Sequence, residues 1–184
     1  MKGFVLAYTV KFLTRKYGDQ FSKELRQSMK GPQQGPYSYT EVFPDNTFAQ
    51  LISNAATLLG MPSAELSRII GANFFSELIK LNPPWADHNT NAFDLLKRHD
   101  MAMNEIVRMH LPGLEAPSFT YNQISPKRLD LNYRSTFMSG DVAEGLIAAM
   151  FVNYDEDFTI ERRNRKGLDN YNEQFILRIR PISS

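Results

Sequence analysis

Cysteine is absent from this chain of 184 residues, and histidine occurs only three times. The lack of cysteine excludes disulfides, Cys-rich zinc sites, iron–sulfur clusters and thiol nucleophiles. Any chemistry that needs an imidazole would depend on His88, His99 or His110. A chain of this length buries roughly 70% of its unfolded surface, so we expect it to fold without crosslinks or a structural metal.

The sequence also lacks an excess of one charge and a long apolar run. Its 21 Lys and Arg oppose 20 Asp and Glu, so no global attraction to nucleic acid or to an anionic membrane is expected. The apolar stretch Gly145–Val152 is far shorter than a membrane span. Near the N-terminus, Lys11, Arg15 and Lys16 predict an amphipathic helix rather than a signal peptide. We therefore expect a cytoplasmic protein with no membrane span and no nucleic-acid partner.

Motifs of the common enzyme classes are missing as well. The chain has no phosphate-binding loop, no GxGxxG, no GxSxG and no HExxH. The acidic residues are scattered along predicted helix faces, and we interpret them as solvated. The basic run Arg162–Lys166 is interpreted as a solvated hairpin turn, with a docking surface for an acidic partner or nucleic acid as the alternative. We expect no enzymatic activity.

Apolar residues recur at helical spacing through the first 112 residues. Gly18 and Gly60 interrupt this spacing, and Asp45 and Ser63 are predicted N-caps because their side-chain oxygens can accept from the first backbone N–H groups. The pattern predicts five helices, over Phe4–Tyr17, Asp19–Met29, Asn46–Leu59, from Ser63 to the pair Pro83-Pro84, and over Asn91–Met109.

After Pro117 the apolar residues alternate, which is typical of strands. Leu129, Leu131 and Tyr133 are expected to face one side of the sheet. The alternation predicts an α+β domain over residues 1–184, in which a helical half (1–112) packs on an α/β half (113–184) with an antiparallel sheet and one helix. The predicted elements are strands over Phe119–Ile124, Arg128–Tyr133, Phe158–Arg162 and Gln174–Ile182, a helix over Gly140–Phe151, and a polar turn over Arg163–Asn172.

Several short motifs occur together in this chain. Residues 111–119 read Leu-Pro-Gly-Leu-Glu-Ala-Pro-Ser-Phe, and residues 131–135 read Leu-Asn-Tyr-Arg-Ser. With the opening Met-Lys-Gly, the pair Tyr17-Gly18 and the Gly-Ala-Asn-Phe-Phe of residues 71–75, this combination resembles the haem-nitric oxide/oxygen binding family (H-NOX, or HNOB). That family provides the sensor domain of soluble guanylate cyclases and of bacterial signalling proteins. The resemblance covers essentially the whole chain and agrees with its predicted order of elements.

The resemblance implies a haem pocket between the helical half and the sheet. In the family, a His on the helix before Pro-Gly ligates the iron, a Tyr-x-Ser-x-Arg motif holds the propionates, and a proline packs against the haem. Without gaps, the ligand position here is Asn104 and the proline is Pro117. The other expected pocket residues are Tyr133, Ser135 and Phe137 of the motif, together with Met101, Val5 and Val142.

Two of these positions depart from the family pattern. Asn104 is not a usual axial ligand, since haem iron takes imidazole, thiolate, thioether or phenolate. Phe137 replaces the Arg that would neutralise a buried carboxylate. Met101 lies one helical turn before Asn104 on a similar face and is an alternative thioether ligand, whereas His99 and His110 are directed elsewhere on the helix.

The missing arginine has no obvious substitute in the sequence. Arg134 is expected to point away from Ser135, because neighbours on a strand face opposite sides of the sheet. Arg128 and Lys127 remain open as cations that reach the site from elsewhere.

Both departures predict that the family's mode of haem ligation is lost. Three alternatives then remain for the pocket. Side chains fill it, or an apolar ligand such as a fatty acid occupies it with its polar head at Tyr133 and Ser135. In the third alternative, haem still binds weakly.

We therefore expect an H-NOX-type sensory, ligand-binding domain that holds another apolar ligand and moves its helical half against the sheet. Since the chain has no room for an output domain, the expected partner in trans is a cyclase, histidine kinase or phosphodiesterase. The alternatives are a haem-binding NO/O2 sensor with non-standard ligation and a ligand-free protein-interaction module.

Overall fold

A computed structural model describes residues 3–30, 34–81, 91–98, 117–164 and 171–179 of the chain. Its helical part confirms the predicted succession of helices. They are α1 (Gly3–Tyr17), α2 (Asp19–Ser28), α3 (Asn46–Leu59), α4 (Ser63–Leu81) and the described part of α5, residues 92–98.

Glycines end two of these elements as predicted. Gly18 separates α1 from α2 with a φ of 92°, and Gly60 ends α3 in the left-handed conformation with a φ of 65°. Both values are open to glycine at little steric cost, because it has no Cβ.

The predicted N-cap position of α3 is confirmed at Asp45, although its backbone angles are helical and its side chain makes no capping hydrogen bond. The predicted N-cap of α4 is wrong by one residue. Ser63 is the first residue of α4, and the carbonyl of Pro62 accepts the backbone N–H groups of Glu65 and Leu66. Proline therefore occupies the cap position of α4, which the preference for side-chain oxygens at N-caps does not predict.

The second part is a four-stranded antiparallel sheet with the order β1-β2-β4-β3. Its two central strands are therefore β2 and β4, and Leu131 of β2 pairs with Tyr121 on one side and Phe175 on the other. A single helix, α6, connects β2 to β3. The bounds are β1 Ser118–Ser125, β2 Arg128–Ser135, α6 Gly140–Asn153, β3 Phe158–Asn164 and β4 Tyr171–Ile179.

The predicted polar turn over Arg163–Asn172 is too long at both ends. Strand β3 continues to Asn164, and β4 already begins at Tyr171. Arg162 and Arg163 are therefore strand residues rather than parts of a solvated turn. This correction matters for the site, since a strand residue has a defined face.

Two buried clusters form the core. The helical core gathers side chains of α1 to α4, and the sheet core lies between the sheet, α5 and α6. Helix α6 contributes to both, because Val142 belongs to the helical core while Ile147 and Phe151 belong to the sheet core. The predicted apolar face of α6 is confirmed as buried at Val142, Leu146, Ile147, Met150 and Phe151.

Two glycines allow α4 and α6 to cross at backbone contact. A Cβ added at Gly71 would overlap the carbonyl oxygen of Val142, and one added at Gly145 would overlap the carbonyl oxygen of Arg68. The helix of the α/β half is thereby held directly against α4 of the helical half. Within the described segments, no helix is both long and apolar enough to cross a membrane.

Candidate functional site

The candidate site lies where β2 ends and the chain turns into α6; residues 136–139 are called the β2–α6 turn below. Tyr133 is 1% exposed, and its hydroxyl donates to the carbonyl of Met138 at 2.8 Å. The Ser135 Oγ accepts the backbone N–H groups of Met138 at 3.0 Å and Phe137 at 3.3 Å. Both hydroxyls of the predicted motif therefore hydrogen-bond to the backbone of this turn.

The third motif position sends an aromatic side chain into the helical core. Phe137 is 2% exposed, and its ring meets Phe48 edge-on with centroids 6.3 Å apart. Phe48 in turn stacks on Phe74 of α4 at 6.4 Å. Val5 and Val142 belong to the same core as Phe137. The structure thus brings three of the expected pocket residues together.

The remaining expected residues are only partly described. Pro117 is partly exposed just before β1, and the neighbouring Phe119 packs against Tyr133 with ring centroids 5.1 Å apart. Asn104 and Met101, the predicted ligand position and its alternative, lie outside the described residues. The same holds for the chain's three histidines, residues 88, 99 and 110.

The two open candidates for the missing cation lie at the wrong end of β2. Arg128 begins the strand and holds Asp130 through two hydrogen bonds, at 2.8 and 2.9 Å. Seven residues of strand place it roughly 23 Å from Ser135. Lys127 precedes it in the β1–β2 turn, so neither reaches the site. Arg134 is exposed, as its predicted orientation away from Ser135 requires.

A cation does lie near the Ser135 end of the sheet, on the face that packs against α6. Arg162 of β3 donates to both carboxylate oxygens of Glu173, and its Nη1 lies 2.5 Å from Asp141 Oδ1 and 3.5 Å from Glu144 Oε2. Burial alone would lower its pKa, but the hydrogen bonds with Glu173 and Asp141 raise the pKa of Arg162 above its ordinary value.

Arg68 of α4 completes this charge cluster, which comprises Arg68, Asp141, Glu144, Arg162 and Glu173. Its guanidinium lies 2.9 Å from Glu144 and 3.6 Å from Asp141. Glu173 is only 5% exposed, and its carboxylate lies over Gly140 at the N-terminus of α6, where the helix dipole favours a negative charge. The cluster therefore joins α4, α6 and the β3–β4 hairpin and contains one more carboxylate than guanidinium groups.

The sequence pattern did not predict this cluster, because scattered acidic residues and a basic run such as Arg162–Lys166 are usually solvated. A signal was nevertheless present. Arg162 continues the alternation of Phe158 and Ile160, and Glu173 precedes Phe175 at the same spacing. Charged residues at the inward positions of two paired strands indicate a buried ion pair. Across the segments that the structure describes, no group of His, Asp or Glu is arranged to hold a metal ion.

Removing the Tyr133 hydroxyl tests its hydrogen bond to Met138. We expect Tyr133→Phe to lower the free energy of unfolding by about 1–2 kcal/mol, because the partly buried carbonyl of Met138 loses this donor. Denaturant unfolding followed by circular dichroism measures the change. Tyr121→Phe is the matched control, since Tyr121 is 43% exposed and its hydroxyl lies 3.4 Å from the Lys97 carbonyl. Equal effects of the two variants would contradict the assignment.

The sequence profile of the family described as haem-NO-binding (HNOB) matches residues 2–162. No curated protein sequence matches this chain.

Solved H-NOX structures resemble it closely in fold. A point mutant of the Fe(II) unliganded H-NOX protein from K. algicida has a TM-score of 0.85 and 19% identity, covering 99% of this chain and 98% of its own. The K. algicida protein without that mutation gives 0.84 and 18%, covering 98% and 97%. A mutant H-NOX from T. tengcongensis gives 0.82 and 16%, covering both chains fully.

Proposed function

Because the chain belongs to the haem-NO-binding (HNOB) family of sensor domains, we propose that it is a sensory domain that does not hold haem as the family does. The observation that supports this proposal is the set of contacts made by the motif Tyr133-x-Ser135-x-Phe137. In this chain the two hydroxyls bind the backbone of the β2–α6 turn, and the aromatic ring fills the helical core.

Hydrogen-bond capacity argues against a propionate at these hydroxyls. A carboxylate only accepts hydrogen bonds, so it needs donors. The single hydroxyl proton of Tyr133 already goes to the carbonyl of Met138 at 2.8 Å. Ser135 accepts two backbone N–H groups and has one proton of its own to donate. The pair therefore offers one donor where two propionate oxygens would need several.

The charge near the site argues in the same direction. Phe137 supplies no cation, and Arg162 is engaged by Glu173, Asp141 and Glu144. Since the charge cluster carries an excess negative charge, a propionate brought close to it would be repelled. The residues described here therefore do not fit the acidic edge of a haem.

Burial supports a filled pocket in this region. Val5, Phe137 and Val142 expose 7%, 2% and 0% of their surface, so little space remains against them. An apolar ligand such as a fatty acid, if one binds, would have to lie against other residues or displace these side chains. We retain that ligand as a prediction, and propose packing as the role of these three residues.

In this proposal the domain acts through a partner rather than as an enzyme. Helix α6 contacts both cores, so a shift of the helical half would be transmitted to the sheet through the α4–α6 crossing. The proposed partner that responds to this movement is a cyclase, histidine kinase or phosphodiesterase in the cytoplasm, as in the signalling systems where the family's domains occur.

Absorption spectroscopy tests the proposal directly. The purified protein, mixed with hemin and reduced, is expected to give no sharp Soret band that shifts with nitric oxide. Asn104→His is the informative variant, because it restores an imidazole at the expected ligand position, and Asn104→Ala is its matched control. A sharp band that shifts with nitric oxide in the unmodified protein would overturn the proposal.

A further inference from the structure

A groove of about 440 Å³ lies on the outer side of the helical half, between α1, α2 and residues 35–37. Its apolar surface includes Val10 of α1 and Pro36, and Tyr37 forms one wall. The Tyr37 ring is held in place by an edge-on contact with Phe43, at a centroid distance of 5.3 Å. The groove has the size of a small-molecule site and is separate from the β2–α6 turn.

Three cations line this groove: Lys11 and Arg15 from α1 and Arg26 from α2. Arg15 also lies 3.5 Å from Glu77, in an exposed contact. None of the ion pairs found between described residues involves Lys11 or Arg26, and none of the described residues that line the groove is acidic. Two of the three positive charges are thus unmatched by a carboxylate in the described structure.

The helix pairing holds these cations on facing elements. Thr14 and Ser22 are each four residues from Gly18, and their hydroxyls are hydrogen-bonded at 2.9 Å. The chain therefore turns back at Gly18, and α2 runs alongside α1. Lys11 lies one turn before Thr14, and Arg26 one turn after Ser22, so the two cations face the same groove. Their mutual repulsion would be relieved by a bound anion.

The charge of this region differs from that of the whole chain. Residues 1–30 contain seven Lys and Arg but two Asp and Glu, although the complete sequence has a net charge of +1. Burial raises the pKa of the Tyr37 phenol, so this wall of the groove stays uncharged at neutral pH. The groove thus combines a positive rim with a neutral, partly apolar interior.

We propose that this groove binds a small organic anion, with its carboxylate or phosphate group at Lys11 and Arg26 and its apolar body against Val10 and Pro36. Charge-assisted hydrogen bonds to these cations supply orientation, and the apolar surface excludes a bare inorganic ion as the preferred ligand. The proposal goes beyond the sensory role argued above and does not depend on whether haem binds.

The experiment titrates the full chain with phenyl phosphate and with benzoate, using calorimetry for affinity and amide chemical shifts for location. Benzyl alcohol and inorganic phosphate are the two partial probes, since each has only one of the two required features. We expect binding of at least one aryl anion, with shifts at Gly35 and along α1 and α2, and at least tenfold weaker binding of both partial probes.

The variants Lys11→Ala and Arg26→Ala are each expected to weaken that binding about tenfold, as the loss of a hydrogen bond to a charged group predicts. Lys23→Ala is the matched control, because Lys23 is an exposed cation of α2 that does not line the groove. Circular dichroism confirms that each variant folds. An equal loss for Lys23→Ala, no binding of either anion, or binding only to vesicles of anionic lipid would overturn the proposal.

Discussion

Replacing Gly145 with alanine is expected to lower the free energy of unfolding by about 3 kcal/mol. The added methyl group would overlap the carbonyl oxygen of Arg68 on α4. A backbone atom cannot turn away as a side chain can, so the two helices must separate and lose packing along their crossing. In an open helical position the same change would raise stability by about 0.5–1 kcal/mol, so even the sign of the effect is informative.

Urea unfolding and thermal melting measure this prediction. A loss of about 3 kcal/mol corresponds to a decrease in Tm of roughly 6–12 °C for a domain of this size. Gly71→Ala should act in the same direction, because its Cβ would overlap the carbonyl oxygen of Val142. Ser76→Ala, at an exposed position of the same helix, should change stability by less than about 0.5 kcal/mol. Unchanged or raised stability of Gly145→Ala would mean that α4 and α6 are not in backbone contact.

Arg162→Met is expected to lower the free energy of unfolding by about 3–4 kcal/mol. The substitution keeps much of the apolar stem but removes the guanidinium from Glu173, which is only 5% exposed. A buried carboxylate without its cation pays the full desolvation penalty. Asp141 and Glu144 would be affected less, because both remain next to Arg68.

A double substitution separates the ion pair from packing. Arg162→Met combined with Glu173→Gln should recover at least half of the lost stability, because it removes the unpaired charge. Arg163→Met is the control on the same strand, since Arg163 is exposed and pairs with Glu161 at 2.7 Å on the surface. It should cost less than about 1 kcal/mol. If both arginine variants have similar effects, the charge cluster does not stabilise the fold as described.

These two predictions concern two neighbouring contacts of α6. Backbone contact at two glycines holds the helix against α4, and the charge cluster joins it both to Arg68 of α4 and to the β3–β4 hairpin. The β2–α6 turn, which contains Phe137, lies immediately before this helix. A sensory mechanism for this chain must therefore move α6 together with α4 and the β3–β4 hairpin, or break one of these contacts.

The helices and strands were well predicted from the sequence, because the spacing of apolar residues within each element shows which of its faces is buried. The strand face of Leu129, Leu131 and Tyr133 is confirmed, since all three are at most 1% exposed. The family resemblance, which rests on short motifs, is confirmed by the profile match and the fold. The prediction of altered haem ligation depends on Asn104, which lies outside the described residues, and stays a prediction.

The ion pairs around α6 could not be predicted from the sequence. Arg162 was interpreted as part of a solvated turn, because a basic run is usually exposed. Its partners Asp141 and Glu173 are 21 and 11 residues away along the chain, and only the pairing of β3 with β4 and the packing of α6 bring them within hydrogen-bonding distance. The spacing of residues along one helix or strand contains no information about contacts with residues of another.

The absence of thiol chemistry and the order of helices and strands follow from the sequence alone, and a departure from the family pattern at positions 104 and 137 is predicted from it. Composition, periodicity and motif identity are properties of the chain alone. Only the tertiary structure shows the partners of Tyr133, Ser135 and Phe137, because their hydrogen bonds and contacts reach the β2–α6 turn and the helical core. It also decided that Gly71 and Gly145 are contact points, since a glycine's need for space is set by the backbone that approaches it.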